Sequence, residues 1–586
     1  MRLKAYLLEK KYQFKWLATL NLKVISIFIS VVLPAKALAQ SRVNIPEDAP
    51  DTIERTAPRP NRPLTPNIPQ PKPKPNLQIP NRTQTSECLN SDDEKQRKDA
   101  FYVRNVEVLG NTVLQSQIDA EIDRFKRHFV TFEDLVCLRS QITNLYLNNG
   151  YITSGAFIPN NQNLNDGIVT IQVVEGDVST IAIDGLKRLR SGYVRSRLES
   201  ATDKPLNRSK LESALQLLLQ APLIERVDAE LTASTTTGNN ILLLNIQEAD
   251  AFLTNIGADN YRSSSIGESQ LTVGINHNNL LGFGDRINAN YSLTEGLNLY
   301  NLGYTFPWNA QDGTVFVNYD NSDSNIVDEE FDDVDITSET ESFSVGIRQP
   351  VIKSPNTELA LGLNLDVRRR QTFLNDDPFP FTLGLTDGIS NVTALRFAQE
   401  WVNRQPTRVL AARSQFNFGI NAFDATINSN GTDGEFLAWQ GQFQWVQQLS
   451  PRILLVTRLG TQITLDSLLS LEKFSLGGIN TIRGYSENRL VTDNGAFTSI
   501  EVRIPVTSNP QIFQLAPFAE VGTGWNNEEP DADPTTLASF GLGVRWSISS
   551  KLRMRLDYGI PVTNTKDEGN ALQDNGLHWV LNYQLF

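Results

Sequence analysis

The chain has 586 residues, 40% of them hydrophobic and 20% charged, with a formal net charge of −13 at pH 7. That length allows several domains with buried cores, and the acidic balance argues against nucleic acid as a partner, because such binding rests on neutralising phosphates. A mean hydropathy of −0.29 and the lack of any run of roughly 20 apolar residues exclude a bundle of membrane-crossing helices.

The N-terminus reads as a secretory signal over 1–39. Arg2, Lys4, Lys10, Lys11, Lys15 and Lys23 form a basic lead, Val24 to Ala35 is uncharged and mostly apolar, and Ala37–Leu38–Ala39 supplies a cleavage site before Gln40. Residues 40–87 read as a linker. Prolines at 46, 50, 58, 60, 63, 66, 69, 71, 73, 75 and 80 predict an extended, semi-rigid spacer without regular helix or sheet.

Residues 88–176 predict a β-α-α-β-β module. Phe101 to Leu109 is strand-like and ends at Gly110–Asn111, and Leu114 to His128 has helical spacing. Thr131, followed by Glu133 and Asp134, opens a second helix. Its stripe of Leu135, Leu138, Ile142, Leu145 and Tyr146 runs to Gly150. Tyr151 to Ile158 and Ile168 to Val174 complete the unit. The chain has two cysteines, Cys88 and Cys137. Export permits them to pair, and two are too few for a structural zinc site, so no metal is expected. Residues 177–249 repeat the order, with strands around Ile181 to Ile183, Arg226 to Ala233 and Ile241 to Gln247. Its helices are Val194 to Ala201 and Lys210 to Gln220, the second with Ser209 and Glu212 as its capping box.

From residue 250 to 586 the pattern changes to period two. Phe540, Leu542, Val544, Trp546 and Ile548 alternate with Gly541, Gly543, Arg545 and Ser547, and Leu552, Met554, Leu556 and Tyr558 alternate with Arg553, Arg555 and Asp557. A soluble sandwich would share that period. Long strands, aromatics near their ends and arginines in mid-strand on the polar face favour a barrel in lipid around a wet lumen. Sixteen strands are predicted, beginning near 251, 270, 285, 298, 313, 341, 357, 392, 408, 435, 452, 494, 514, 536, 551 and 576. The gap at 464–493 falls between the eleventh and twelfth. It carries FSLGGINTIRGY at 474–485, with Ile482, Arg483, Gly484 and Tyr485 at its end. Phe518, Glu520 and Gly522 fall on the thirteenth strand. An arginine on a glycine-bearing loop and a carboxylate on a barrel wall can form a charge-assisted pair inside the lumen. Taken as an isolated pair, Arg483 and Glu520 should tolerate exchange of their charges in part.

Enzymatic chemistry has no support. His128, His277 and His578 are scattered, and no Gly-x-Ser-x-Gly, Walker A or His-Glu-x-x-His pattern occurs. No cofactor is expected.

Four segments together resemble the two-partner secretion transporters of type V secretion, the haemolysin secretion/activation protein family. Asn149–Gly150–Tyr151–Ile152–Thr153–Ser154 with Phe157–Ile158–Pro159 resembles a segment of that family's POTRA module, and Val173–Val174–Glu175–Gly176 its closing strand. Arg483–Gly484–Tyr485 resembles the tip of its sixth extracellular loop, and Phe518, Glu520 and Gly522 its thirteenth-strand motif. The resemblance implies two POTRA modules, 88–176 and 177–249, held in the periplasm before a sixteen-stranded outer-membrane barrel. It further implies a monomeric pore that secretes an unfolded client, a large β-helical adhesin or haemolysin-like protein, without nucleotide hydrolysis. A barrel-assembly or protein-import pore of the same superfamily is the alternative, but those usually carry three or five modules. Tyr151, Ile152, Thr153, Ser154, Phe157 and Ile158 are the expected client-binding strand. The family often carries an N-terminal plug helix, and the prolines of 40–57 predict its absence here.

Overall fold

The computed structural model describes residues 49–56, 75–78 and 99–585, apart from 332, 383, 430 and 566–570. The signal segment, Cys88 and Phe586 lie outside the described residues.

Two α/β modules precede the barrel. In the first, strands β2 (Phe101–Val103) and β3 (Asn105–Leu109) lead into helix α2 (Gln115–Ile122). The chain then forms β4 (His128–Val130), helix α3 (Phe132–Asn148), β5 (Gly155–Phe157) and β6 (Ile168–Val174). The order β3-β6-β5 makes one sheet, and β2 pairs with β4. Thr131 caps α3 through a reciprocal box with Asp134, satisfying end amides that a helix leaves open. The core is Leu135, Leu138, Ile142 and Tyr146 of α3 against Val169, Ile171 and Val173 of β6. Three expectations are corrected here. The first helix stops at Ile122, and a 3-10 turn over Asp123–Phe125 follows. His128 to Val130 is strand rather than helix. The expected strand Tyr151 to Ile158 shrinks to Gly155–Phe157, because residues 151–154 turn to join the two modules.

In the second module, β7 (Asp177–Asp184), β8 (Ile224–Ala233) and β9 (Asn239–Glu248) carry helices α4 (Ser191–Leu198) and α5 (Arg208–Gln220). Asn207, not Ser209, caps α5, its side chain accepting from the amides of Ser209 and Lys210. Glu212 instead pairs with Arg208, one turn away. Leu211, Leu215, Leu218 and Leu219 pack on Leu242, Leu244 and Ile246.

The linker holds regular structure where none was expected. Ala49–Thr56 is a two-turn helix, α1, and β1 (Asn76–Gln78) pairs parallel with β8 as an edge strand. Both fit between prolines. Pro50 sits in the first turn, where its missing N–H breaks no intrahelical bond, and Pro58 lies beyond the end. An edge strand needs donors on one side only, so Pro75 beside β1 is tolerated.

The rest is one closed antiparallel barrel of sixteen long strands. Its first strand, Phe252–Asp259, pairs with its last, Leu577–Gln584. A two-residue piece, Asp377–Pro378, adds to the rim of the seventh strand, Thr357–Leu374. Outward positions are apolar and exposed, such as Leu271, Val273 and Ile275 or Phe540, Leu542 and Trp546. Inward ones are polar. The second module docks on the turns at one end of the barrel. Arg197 Nε donates to Asp312 Oδ1 at 2.9 Å, and the Arg190 guanidinium lies 3.9 Å above the Phe283 ring.

Candidate functional site

The segment between the eleventh strand, Leu454–Thr464, and the twelfth, Asn494–Pro505, folds back into the barrel. Its two legs pair as a short hairpin, Phe474–Leu476 with Leu490–Thr492. Phe474, Leu476, Ile482, Tyr485 and Leu490 bury against Phe497 and Leu537 of the wall. The loop is therefore a packed element of the lumen.

Arg483, at the tip, is 0% exposed. Its Nη2 and Nε donate to Glu520 Oε1 at 2.6 and 3.0 Å, and its backbone amide donates to Glu520 Oε2 at 2.6 Å. Glu520 lies on the thirteenth strand, Phe513–Trp525. Nη1 donates to Glu501 Oε2 at 2.8 Å and to Asp557 Oδ1 at 3.0 Å. The guanidinium carbon stands 3.5 Å from the Phe518 ring centroid. One planar cation thus uses its fork and its face together, a geometry a lysine cannot copy.

The glycine beside it has a steric reason. Gly484 has φ +94°, and a Cβ there would lie 3.0 Å from the Gly559 carbonyl carbon. Backbone meets backbone at that point, so only glycine lets the tip approach the wall. The Gly484 amide donates to His578 Nε2 at 3.0 Å. Tyr485 Oη lies 2.7 Å from the Ala538 carbonyl and 2.9 Å from that of Thr563. Phe518, Glu520 and Gly522 share the inward face. A Cβ at Gly522 would lie 3.0 Å from both Leu476 Cδ2 and Phe497 Cβ, so this glycine makes room for the loop.

The charges around Arg483 form a network wider than the expected pair. Arg545 donates to Glu501 at 2.7 Å and pairs with Asp557 at 2.8 Å, Arg555 pairs with Asp557 and Arg503 with Glu501. Arg458 Nη2 reaches Glu520 Oε1 at 3.4 Å. Glu501, Asp557 and Arg458 were missed in the sequence, yet each is a charge at an inward position of an alternating strand. That signal could have found them.

Helix α1 lies against this loop. The Arg55 carbonyl accepts from Asn488 Nδ2 at 2.7 Å, and Glu54 pairs with Lys473 at 3.1 Å. Arg370, on the seventh strand, donates to the Ile53 carbonyl at 2.9 Å. The expectation that the prolines exclude regular helix from the linker is therefore corrected, while α1, at eight residues, is shorter than the long plug helix whose absence was expected. Two turns of helix contact inward-facing residues.

The expected client strand is mostly structural. Tyr151 packs edge-on against Tyr146 at 5.8 Å. Ile152 packs on the second module's core. Thr153 abuts Gly176, and Ser154 Oγ accepts from the Gly176 amide at 3.1 Å. Phe157 is exposed on the edge strand β5, whose Ala156 amide donates to Thr143 Oγ1 of α3 at 3.0 Å, and Ile158 is half-buried. Cys137 is disulfide-bonded. No cluster suited to a metal ion occurs among the described residues.

The profile described as "Haemolysin secretion/activation protein ShlB/FhaC/HecB" matches residues 238–546. That described as "POTRA domain, ShlB-type" matches 101–176. The outer membrane transporter CdiB of Escherichia coli is 23% identical over 470 residues, 77% of this chain and 76% of that one. The heme/hemopexin transporter protein HuxB of Haemophilus influenzae strain 86-028NP is 22% identical over 461 residues, 76% of this chain and 80% of its own. Among solved structures, CdiB from Escherichia coli aligns with a TM-score of 0.64 at 20% identity, covering 85% of this chain and 93% of that one. That likeness speaks to the fold.

Proposed function

The chain belongs to the haemolysin secretion/activation protein family, and from that premise we propose how it moves its client. It is an outer-membrane transporter of a secreted protein, with POTRA in the periplasm. We read 88–176 and 177–249 as two POTRA modules, because the second repeats the helix and strand order of the first. The client arrives unfolded and adds a strand to the edge of β5, where Phe157 is exposed, taking the Ala156 amide from Thr143 Oγ1. The observation that carries this reading is the buried seat of Arg483. A loop held in the lumen by one fully enclosed cation is a closed gate that displacement opens. Transport then needs no nucleotide, since folding of the client outside biases its passage outward. Kinship with haemolysin transporters supports a haemolysin-like or adhesin-like client, read here as a large β-helical protein. One chain closes the barrel by itself, which supports a monomeric pore. The family is one of transporters, and no enzymatic role is proposed.

The docking step is tested by Phe157→Asp, which charges the exposed edge without touching the module core. Client in the medium should fall about tenfold, as for loss of a central apolar anchor, with unchanged barrel in the outer membrane. Undiminished export would refute β5 as the docking edge.

A further inference from the structure

The pore loop has a second attachment, chemically separate from the tip and on another wall. Glu472 lies eleven residues before Arg483 and is 2% exposed. Arg396 on the eighth strand, Ile389–Gln405, grips its carboxylate with both ends of the guanidinium. Nη2 donates to Oε1 at 2.7 Å and Nη1 to Oε2 at 3.0 Å. Arg368, on the seventh strand, stands 3.8 Å from Oε1 and donates to the neighbouring Leu471 carbonyl at 3.2 Å. Arg396 is held from behind by Asp366, to which its Nε donates.

The backbone and the apolar footing agree with this anchorage. Gln462 Nε2 donates to the Glu472 carbonyl at 3.0 Å and to the Asp493 carbonyl at 2.9 Å, tying both legs of the loop together. Leu468, Leu469 and Leu471 bury against Val392, Ala394 and Ala438 of the wall. The seventh and eighth strands lie four to eight positions round the ring of sixteen from the twelfth, thirteenth and fifteenth, which carry the acidic partners of Arg483. A loop fixed at both places crosses the bore. The adjacent Lys473 points elsewhere, to Glu54 of α1 and to Glu529. Departure of the helix would thus remove one of the lysine's two carboxylate partners, Glu54, and leave the pairing of Glu472 whole.

We propose that Glu472 and Arg396 are positioning residues that form a second, independent latch, holding the loop's base to the wall opposite its tip. Tip and base are both seated in the closed lumen, and each attachment adds its own free energy to that closed state. The pair is bidentate and enclosed, so losing it removes two charge-assisted hydrogen bonds and leaves a guanidinium without its main counter-charge. This goes beyond client transport, and its test needs no client.

The experiment is single-channel recording of the full-length protein in planar lipid bilayers, with Glu472→Gln, Arg396→Gln, Glu520→Gln and their double combinations. Each single variant should raise the fraction of time in conducting states about tenfold, the change that follows from roughly 1.4 kcal/mol. Glu472→Gln with Arg396→Gln should do no more than either alone, because one interaction is lost. Glu472→Gln with Glu520→Gln should multiply the two effects, because the latches are separate. Glu472→Asp, which keeps the charge, should recover part of the closed time. A merely structural role would lower barrel yield without that pattern. A native current record for Glu472→Gln, or no increase when it is added to Glu520→Gln, overturns the proposal. If Glu472→Gln does not reach the membrane, Arg396→Lys, which keeps the charge and loses the fork, is recorded in its place under the same criteria.

Discussion

Arg483 makes charge contacts with Glu520, Glu501 and Asp557 at once, and that decides what charge exchange can do. Breaking one partner of a buried pair costs about 3–5 kcal/mol, because the other is left enclosed without its counter-charge. Arg483→Glu and Glu520→Arg should therefore each cut client export at least about tenfold. The double exchange should not restore it. The new acid would face Glu501 and Asp557, and the new base would face Arg458. This reverses the outcome expected from the pair taken alone. The check is client in the medium against barrel in the outer membrane, and recovery to near-native export would show that the wider network carries little weight. The pair itself was legible because Arg483–Gly484–Tyr485 and Phe518, Glu520 and Gly522 together resemble two motifs of the family at the expected strand positions, and Glu520 falls on an inward position. The other carboxylates were not singled out, since an inward charge on a barrel strand is ordinary until the loop shows what it meets.

At the scale of elements, the first module is tied by Glu175, just past the end of β6. Its Oε1 accepts from the Thr112 amide at 2.7 Å, the Val113 amide at 3.3 Å and Tyr146 Oη at 2.8 Å, and its Oε2 accepts from Thr112 Oγ1 at 2.6 Å. Burial pushes this carboxyl up, but the hydrogen bonds from Thr112, Tyr146 and Val113 outweigh it and hold the group below its ordinary value. The same contact and burial push the Tyr146 hydroxyl up. A carboxyl depressed in the folded state stabilises it above the ordinary value of 4.5, and that contribution fades as pH falls through the folded value. Limited proteolysis of the full chain should show the first module opening on acidification through that range. Glu175→Gln should open it more readily at neutral pH, by about 1–3 kcal/mol, and flatten the acid limb. Identical digestion of both proteins at every pH would contradict this. The motif ending Val174–Glu175–Gly176 thus has a physical reason that its spelling does not show, because Thr112 is 63 residues away.

For the whole molecule, legibility followed the strength of the local signal. All sixteen strands were placed within a few residues, since a two-sided wall in lipid enforces alternation over long runs. Short elements with weaker patterns were misread. Proline density hid α1 and β1, although Pro50 and Pro75 each fall where a missing N–H does no harm. The strand expected at Tyr151 to Ile158 failed because its apolar residues serve two cores at the joint between modules. Tyr151 packs on the first core and Ile152 on the second. The two attachments of the pore loop, on distant walls, were beyond reach of local pattern, since they depend on ring closure.

The central claim is that the loop tip must leave its seat for a client to pass. Ser486, next to the tip, donates to Asp574 in the last outer loop. Cysteines at these two positions can bridge the tip to the rim, and client in the medium is then measured with and without reductant, beside the parent chain treated alike. Export should stop in the bridged protein and return on reduction, while the parent chain exports under both conditions. Undiminished export through a fully bridged pore would contradict the account.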